Sequence, residues 1–233
     1  MKIALLGYGK MGKTIERLAL ERGHSIVLKI DKDDTEIPIN KAEVAIDFSL
    51  PEAAFDNISL CLNNHVPVVS GTTGWLEKYN DAVALCNQKQ GAFLYASNYS
   101  LGVNIFFELN KKLAKMMQPF TDYEVKMEEI HHTRKLDAPS GTAITLAEGI
   151  IENTNNTKWG LNETEKNTVP IVAKRIGDVP GTHIINYNSI VDQIEIKHTA
   201  HNRDGFALGA IIAAEWLVGK KGVYSMKDVL NMG

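Results

Sequence analysis

Six residues near the start of the chain, Gly7-Tyr8-Gly9-Lys10-Met11-Gly12, restrict the possible folds more than any others. They follow a short apolar run, Lys2-Ile-Ala-Leu-Leu6, and precede apolar residues at helical spacing, Ile15, Leu18 and Ala19, so the segment reads as strand, glycine turn and helix. The first glycine allows the tight turn, the second lets the backbone meet a pyrophosphate, and the third lets the helix pack on the strand, with the diphosphate at the helix N-terminus. Alone, such a motif is weak evidence. Here Ser25-Ile-Val-Leu-Lys-Ile30 reads as a second strand ending in Asp31, about 20 residues after the glycines, where an acid that bonds an adenosine ribose belongs. Asp31 favours NADH, because its charge repels the 2′-phosphate of NADPH. Lys32 follows at once and can pair with that phosphate, as a point charge on a flexible stem that salt screens. Both cofactors are therefore expected.

The polar stretch between Asp31 and Glu43, broken by Pro38, leaves no room for a full crossover helix. Beyond it the alternation resumes. Val44-Ala-Ile-Asp-Phe-Ser49 reads as a buried strand, and Pro51 starts a helix through Ala54, Ile58 and Leu62. Pro67-Val-Val-Ser70 is a fourth strand, a helix runs around Tyr79 to Asn87, and Ala92-Phe-Leu-Tyr95 is a fifth strand. Strands alternating with helices give a doubly wound α/β sheet of parallel strands, whose ligands sit at the carboxyl ends. That places Phe48-Ser49, Gly71-Thr72-Thr73 and Ser97-Asn98 around one crevice.

From Gly102 the texture changes. A helix is marked by Ile105, Leu109, Leu113 and Met116, and Asp122 to Ile130 alternates polar and apolar residues as a half-buried strand. The strand runs into Glu129-Ile-His-His-Thr-Arg-Lys-Leu-Asp-Ala-Pro-Ser-Gly-Thr142. Asp137 to Gly141 reads as a turn, and Ile144, Ala147 and Ile150 mark a helix that Ser140 or Thr142 caps. Such a helix start binds anions, and Lys135 and Arg134 converge on the same negative charge. His131 and His132 titrate near neutral pH, which suits proton transfer. His131 and Lys135 are thus the expected proton-handling pair, and Ser140, Gly141 and Thr142, with His132 and Lys135, the expected receptor for a substrate carboxylate. Asn153 to Thr157 reads as a surface loop. Val172 to Ile176, His183 to Tyr187 and Asp192 to His198 read as antiparallel strands, and Phe206 to Val218 as an apolar helix packing back on the first sheet. His198 and His201 lack a helical frame or a third ligand, so a structural role is expected of them and no metal is.

The run His131-His-Thr-Arg-Lys-Leu-Asp-Ala-Pro-Ser-Gly-Thr142 resembles the signature of the dihydrodipicolinate reductase family, in which a His-His pair, a Lys three residues on and an Asp-x-Pro-Ser-Gly-Thr turn recur. The resemblance extends to Asp47-Phe-Ser49, Gly71-Thr-Thr-Gly74 and Asn98-Tyr-Ser-Leu-Gly-Val-Asn104, and it spans nearly the whole chain. It implies that Phe48, Gly71, Thr72, Thr73, Ala96, Ser97, Asn98 and Tyr99 line the cofactor, with Arg203 near the nicotinamide. It also implies NAD(P)H-dependent reduction of dihydrodipicolinate or its hydroxy precursor to tetrahydrodipicolinate, relaxed use of both cofactors, and a homotetramer formed through the second sheet. Residues 1–101 and 204–233 are then the dinucleotide-binding domain, and 102–203 an α+β substrate-binding and oligomerisation domain with a mixed or antiparallel sheet. Its one departure from the family is the shortened segment after Asp31.

Composition narrows the alternatives. A net charge of −3 and a pI near 6.2 give no footprint for nucleic acid or an anionic membrane. The apolar run Phe206 to Gly219 falls short of the roughly 20 residues of a membrane span, and Met1 leads straight into the glycine motif without a signal peptide. Cys61 and Cys86 stand far apart, as reduced fillers of a cytoplasmic protein. Two rival readings remain: another two-domain amino-acid dehydrogenase, and a non-catalytic dinucleotide sensor. The sensor would have no use for His131, His132 and Lys135 together beside an anion turn.

Overall fold

The structure is a computed structural model that describes residues 1–31, 37–163 and 165–232. In chain order its elements are β1 (Lys2–Leu6), α1 (Lys10–Glu21), β2 (Ser25–Ile30), β3 (Val44–Asp47), α2 (Pro51–Asn63), β4 (Val68–Ser70), α3 (Tyr79–Lys89), β5 (Ala92–Tyr95) and α4 (Leu101–Met117). Then come β6 (Glu124–His131), α5 (Gly141–Ile151), β7 (Lys158–Leu161), β8 (Thr168–Arg175), β9 (Gly181–Asn188), β10 (Gln193–Ala200), α6 (Asp204–Leu217), β11 (Gly222–Tyr224) and α7 (Met226–Val229). They group into two compact units, Met1–Asn104 with Asp204–Gly233, and Ile105–Arg203. The boundary falls within α4, a little beyond the start of that helix where the sequence places it.

The first unit is a Rossmann-type doubly wound sheet. Its strands lie in the order β11-β5-β4-β3-β1-β2, and every pair is parallel. Alternate residues of each strand enter different cores. Ile3, Leu5, Val44, Ile46 and Leu94 pack with α1 and α6, whereas Ala4, Leu6, Ala45, Val68 and Phe93 pack with α2 and α3. Burial on both faces explains why these strands are continuous apolar runs. Between β2 and β3 the described residues hold a single 3-10 turn, Ile39–Lys41, in place of a crossover helix.

The second unit stacks α4 and α5 on one face of a five-stranded sheet, around Phe106, Met127, Leu146, Ile150, Ile171 and Ile185. The strand order is β10-β9-β6-β8-β7. The sheet is mixed, as expected, and β9 runs antiparallel to β6 and β10, but the expectation for Val172 to Ile176 is corrected: that strand, β8, runs parallel to β6 and β7. The chain travels from β6 to β8 by way of α5, and a helical crossover returns a strand in the same direction. Of the apolar residues that mark α4 in the sequence, only Leu113 packs against the core, so they are not the buried stripe. Ile105, Leu109 and Met116 are 54%, 47% and 67% exposed, while Phe106, Asn110, Ala114 and Met117 face the core.

Candidate active site

In the first unit the strand order reverses between β1 and β3, the place where doubly wound sheets open a crevice. The glycine turn sits in it. Gly7 has φ +93° and donates its N–H to Ile30 O at 2.9 Å, so Asp31 begins beside the turn. A Cβ on Gly7 would lie 2.1 Å from Phe48 O, and one on Gly12 2.4 Å from Gly7 O, but one on Gly9 would meet nothing within 4 Å. The outer glycines are thus demanded by close backbone contact, and the middle one faces open space. Helix α1 starts at Gly9 without a side-chain cap, so the N–H groups of Lys10, Met11 and Gly12 lack intrahelical acceptors. These residues fit a diphosphate. Asp31 is exposed, and Lys32 lies outside the described residues.

The walls of the crevice are held by a residue that sequence reasoning passed over. Asp47 is fully buried and accepts four side-chain hydrogen bonds: Ser49 Oγ at 2.6 Å and Asn57 Nδ2 at 3.0 Å on one oxygen, Ser70 Oγ and Thr72 Oγ1 at 2.8 Å on the other. Burial pushes its carboxyl up from the ordinary value, and the four donors oppose that shift. Thr72 Oγ1 also accepts the Ser49 N–H at 2.8 Å, so the loops after β3 and β4 are tied to each other. Gly71 lies under the Phe48 ring, where a Cβ would come within 2.3 Å. Two expected cofactor contacts turn inward: the Thr72 hydroxyl belongs to this network, and the Tyr99 side chain is buried with its hydroxyl donated to Ser70 O at 2.7 Å. The Tyr8 hydroxyl donates to Glu16. Thr73 and Ser97 are exposed, Ala96 and Asn98 half-buried, and Arg203 is exposed at the end of the second unit.

In the second unit, strand pairing assembles a buried polar group. Glu129 and His131 are two apart on β6 and so share a face. Glu129 stands opposite His183 on β9, and His131 opposite Arg175 on β8. Glu129, His131 and His183 are all buried. One Glu129 oxygen accepts from the Ser140 N–H at 3.1 Å and from Arg175 Nη2 at 3.0 Å. The other lies 3.1 Å from His131 Nδ1 and 3.8 Å from His183 Nε2, ion-pair distances that lack hydrogen-bond alignment. The two imidazoles meet edge to face with centroids 5.2 Å apart. His183 Nε2 is also 3.2 Å from Ser140 Oγ, which caps α5 by accepting the Ala143 N–H at 3.2 Å. Ser140, expected to touch substrate, thus has its hydroxyl and N–H engaged within the protein. Gly141 and Thr142 follow it with first-turn N–H groups that have no intrahelical acceptor.

Around this group the turn is pinned and partly neutralised. Arg175 Nη2 donates to Asp137 O, and Lys135 Nζ reaches both Asp137 oxygens at 2.8 and 2.7 Å, holding that carboxyl below its usual range. His132 is half-buried, with Nδ1 unpartnered among the described residues. Arg134 does not converge on the helix start: the Thr133 N–H bonds Gly177 O, and this places the Arg134 guanidinium against Asp178 at 2.7 Å. Among the described residues one trio could hold a metal, Glu129, His131 and His183, with ligand atoms within 4.8 Å of one another. The Arg175 guanidinium competes with any cation for that carboxylate. His198, half-buried on β10, packs near Phe106 at 5.9 Å.

These burials make stability depend on acid. Burial and the neighbouring His131 lower the His183 imidazole from 6.5 to about 4. Burial raises Glu129, but His131, the Ser140 N–H and Arg175 outweigh it and hold the carboxyl at about 2. Both groups titrate lower when folded, so their contribution is present at neutral pH. The His183 part is lost as pH falls from its ordinary 6.5 toward about 4, and the Glu129 part below its ordinary 4.5. Unfolding free energy from urea titrations is expected to drop by roughly 2 kcal/mol between about pH 7 and about pH 4.5 through His183. His183→Gln should flatten that difference, and an unchanged difference would assign it elsewhere.

Residues 1–99 match the family model described as dihydrodipicolinate reductase, N-terminus, and residues 102–230 the one described as dihydrodipicolinate reductase, C-terminus. The chain is 57% identical to the 4-hydroxy-tetrahydrodipicolinate reductase of Christiangramia forsetii, covering 99% of this chain and 98% of that protein. It is 37% identical to the enzyme of the same name from Thermosipho africanus, with the same coverage. Among solved structures it resembles a dipicolinate-bound dihydrodipicolinate reductase from Paenisporosarcina sp. TG-14, with TM-score 0.78, 24% identity and 97% of each chain covered, a likeness of fold.

Proposed function

The chain belongs to the dihydrodipicolinate reductase family, and from that premise we propose that it reduces 4-hydroxy-tetrahydrodipicolinate, or dihydrodipicolinate, to tetrahydrodipicolinate in lysine and diaminopimelate biosynthesis. The observation that carries this reading is the buried Glu129–His131 pair in the same unit as the first-turn N–H groups of α5, which have no intrahelical acceptor. NADH or NADPH supplies the hydride when bound. The residues that would hold it are Gly7 and Gly9 to Gly12 at the diphosphate, Asp31 and Lys32 at the ribose, and Phe48, Gly71, Thr73 and Ala96 to Asn98 along the crevice. Each reduction adds one hydride and one proton, and the hydroxy form also loses water. His131 delivers the proton, with Lys135 beside it as the second proton-handling group.

The Gly141 and Thr142 N–H groups, helped by His132 and Lys135, take a substrate carboxylate. Such charge-assisted bonds contribute about 1.5 to 3 kcal/mol. Lys135 is held by Asp137 in this structure, so an incoming carboxylate exchanges one counter-charge for another. Thr142→Val and Lys135→Ala are expected to raise substrate KM by about tenfold or more while leaving cofactor KM near the parent value. Pyridine-2,6-dicarboxylate should compete with substrate, and its failure to do so would remove the receptor from this turn.

The decisive assay is NADH or NADPH absorbance with the cyclic dicarboxylate present. Loss of absorbance supports the reductase, binding without turnover the sensor, and turnover only with an amino acid the dehydrogenase. A homotetramer is part of the same proposal, supported by exposed Ile190 and Val191 in the turn between β9 and β10 and by Ile194 on the edge strand β10, and light scattering tests it. A cytoplasmic location is proposed from the buried free thiols Cys61 and Cys86. Among the described residues no helix is long and apolar enough to cross a membrane.

A further inference from the structure

We propose that Glu129 is a positioning residue, which fixes the ring of His131 and directs that imidazole's working proton to Nε2. The inference rests on the reading of His131 as proton donor and adds a group that touches no substrate. Three observations support it. Glu129 is fully buried, so its carboxylate is out of contact with bulk solvent. Its first oxygen is clamped by the Ser140 N–H and Arg175, which fixes the orientation of the carboxylate and leaves the second oxygen 3.1 Å from His131 Nδ1. A carboxylate at this pH accepts and does not donate, since the same contacts hold it at about 2. A bare imidazole lone pair 3.1 Å from that oxygen would face like charge, so close approach favours a proton on Nδ1 in both charge states of the ring even without full hydrogen-bond alignment. In neutral His131 the proton sits on Nδ1, and Nε2 is the nitrogen that gains a proton and gives it up.

The far side of the ring fits this assignment. A Cβ on Gly181 would stand 3.1 Å from His131 Nε2, so glycine at this position leaves that nitrogen clear. His183 lies on the Glu129 side, 3.8 Å from the same oxygen, and is held neutral at ordinary pH by burial and by His131. It adds no charge that would draw the carboxylate away. Because Glu129 also holds the Ser140 N–H, one side chain sets both the proton donor and the start of the helix that receives the substrate anion.

The test is a double-mutant cycle with a spectroscopic arm. Glu129→Gln keeps the shape and can still accept from Ser140, but it presents either an amide N–H or a weaker acceptor to His131. It is expected to lower kcat by about tenfold or more with substrate KM within about threefold, and to cause no further loss in a His131→Ala background. A kcat within about threefold of the parent, or an equal loss in the His131→Ala background, overturns the proposal, the latter by showing a purely structural role. If His131→Ala alone keeps full turnover, the reading of His131 as donor fails first and takes this inference with it. Nitrogen-15 NMR of labelled histidines in the unaltered enzyme, assigned with His131→Ala, needs no Glu129 variant to fold. Neutral His131 is expected as the Nδ1–H tautomer, and an Nε2–H tautomer overturns the proposal.

Discussion

His131→Ala is expected to lower turnover by about 10² to 10⁴, the range a positioned general acid contributes, while NADH binding by fluorescence titration stays at the parent value. The two effects separate because the side chain belongs to β6 of the second unit, and the glycine turn, Asp31 and the Asp47-braced loops all belong to the first. The loss should appear in kcat more than in substrate KM, since the carboxylate receptor at Gly141 and Thr142 is left in place. Lys135→Ala should differ in pattern, because that ammonium is shared with Asp137 and acts first on binding. A His131→Ala enzyme with kcat within about threefold of the parent would exclude imidazole proton delivery.

The second large effect is structural. Asp47→Ala removes the acceptor for Ser49, Asn57, Ser70 and Thr72 at once. Some donors keep a partner: Asn57 still reaches Ser49 Oγ at 3.0 Å, and Thr72 still accepts the Ser49 N–H. The Ser70 and Thr72 hydroxyls are left buried, at about 1 to 3 kcal/mol for each unsatisfied group. A total near 3 to 5 kcal/mol is expected in urea unfolding at unchanged m. NADH affinity should weaken with it, because the loops after β3 and β4 lose their common anchor. Asp47→Asn keeps one acceptor oxygen and should lose less. If Asp47→Ala lost under about 1 kcal/mol, the network would be a consequence of the loop geometry and not its cause.

The sequence made the parallel sheet legible because its signals are local: a glycine turn after an apolar run, small residues at each strand end, and helices at period 3.6. Glu129 was within reach and was passed over. Tyr123, Val125 and Met127 set the inward phase of β6, and the same period of two carries Glu129 and His131 inward, so a charge falls on the buried face. Its partners could not be read, since His183 and Arg175 reach it only through the register of β9 and β8, far along the chain. Local pattern also misjudged α4, which has apolar residues on two faces, so that periodicity alone could not choose the stripe around Phe106 and Asn110. β7 and β11 are too short to display a period.

The first unit borrows α6 and β11 from beyond the second, and this orders events on the ribosome. Residues 105–203 emerge as one uninterrupted length and can close their core on Met127, Leu146 and Ile185 as soon as they are made. The earlier half must wait. Until α6 is translated, Ile3, Leu5 and Leu94 face a layer that lacks Ala210, Ile211 and Ala214, and the outer edge of β5 lacks its neighbour. A nascent chain stalled just after Arg203, before α6 is made, would carry a finished insert on a half-covered parallel sheet, the kind of exposed apolar face and open strand edge that chaperones recognise.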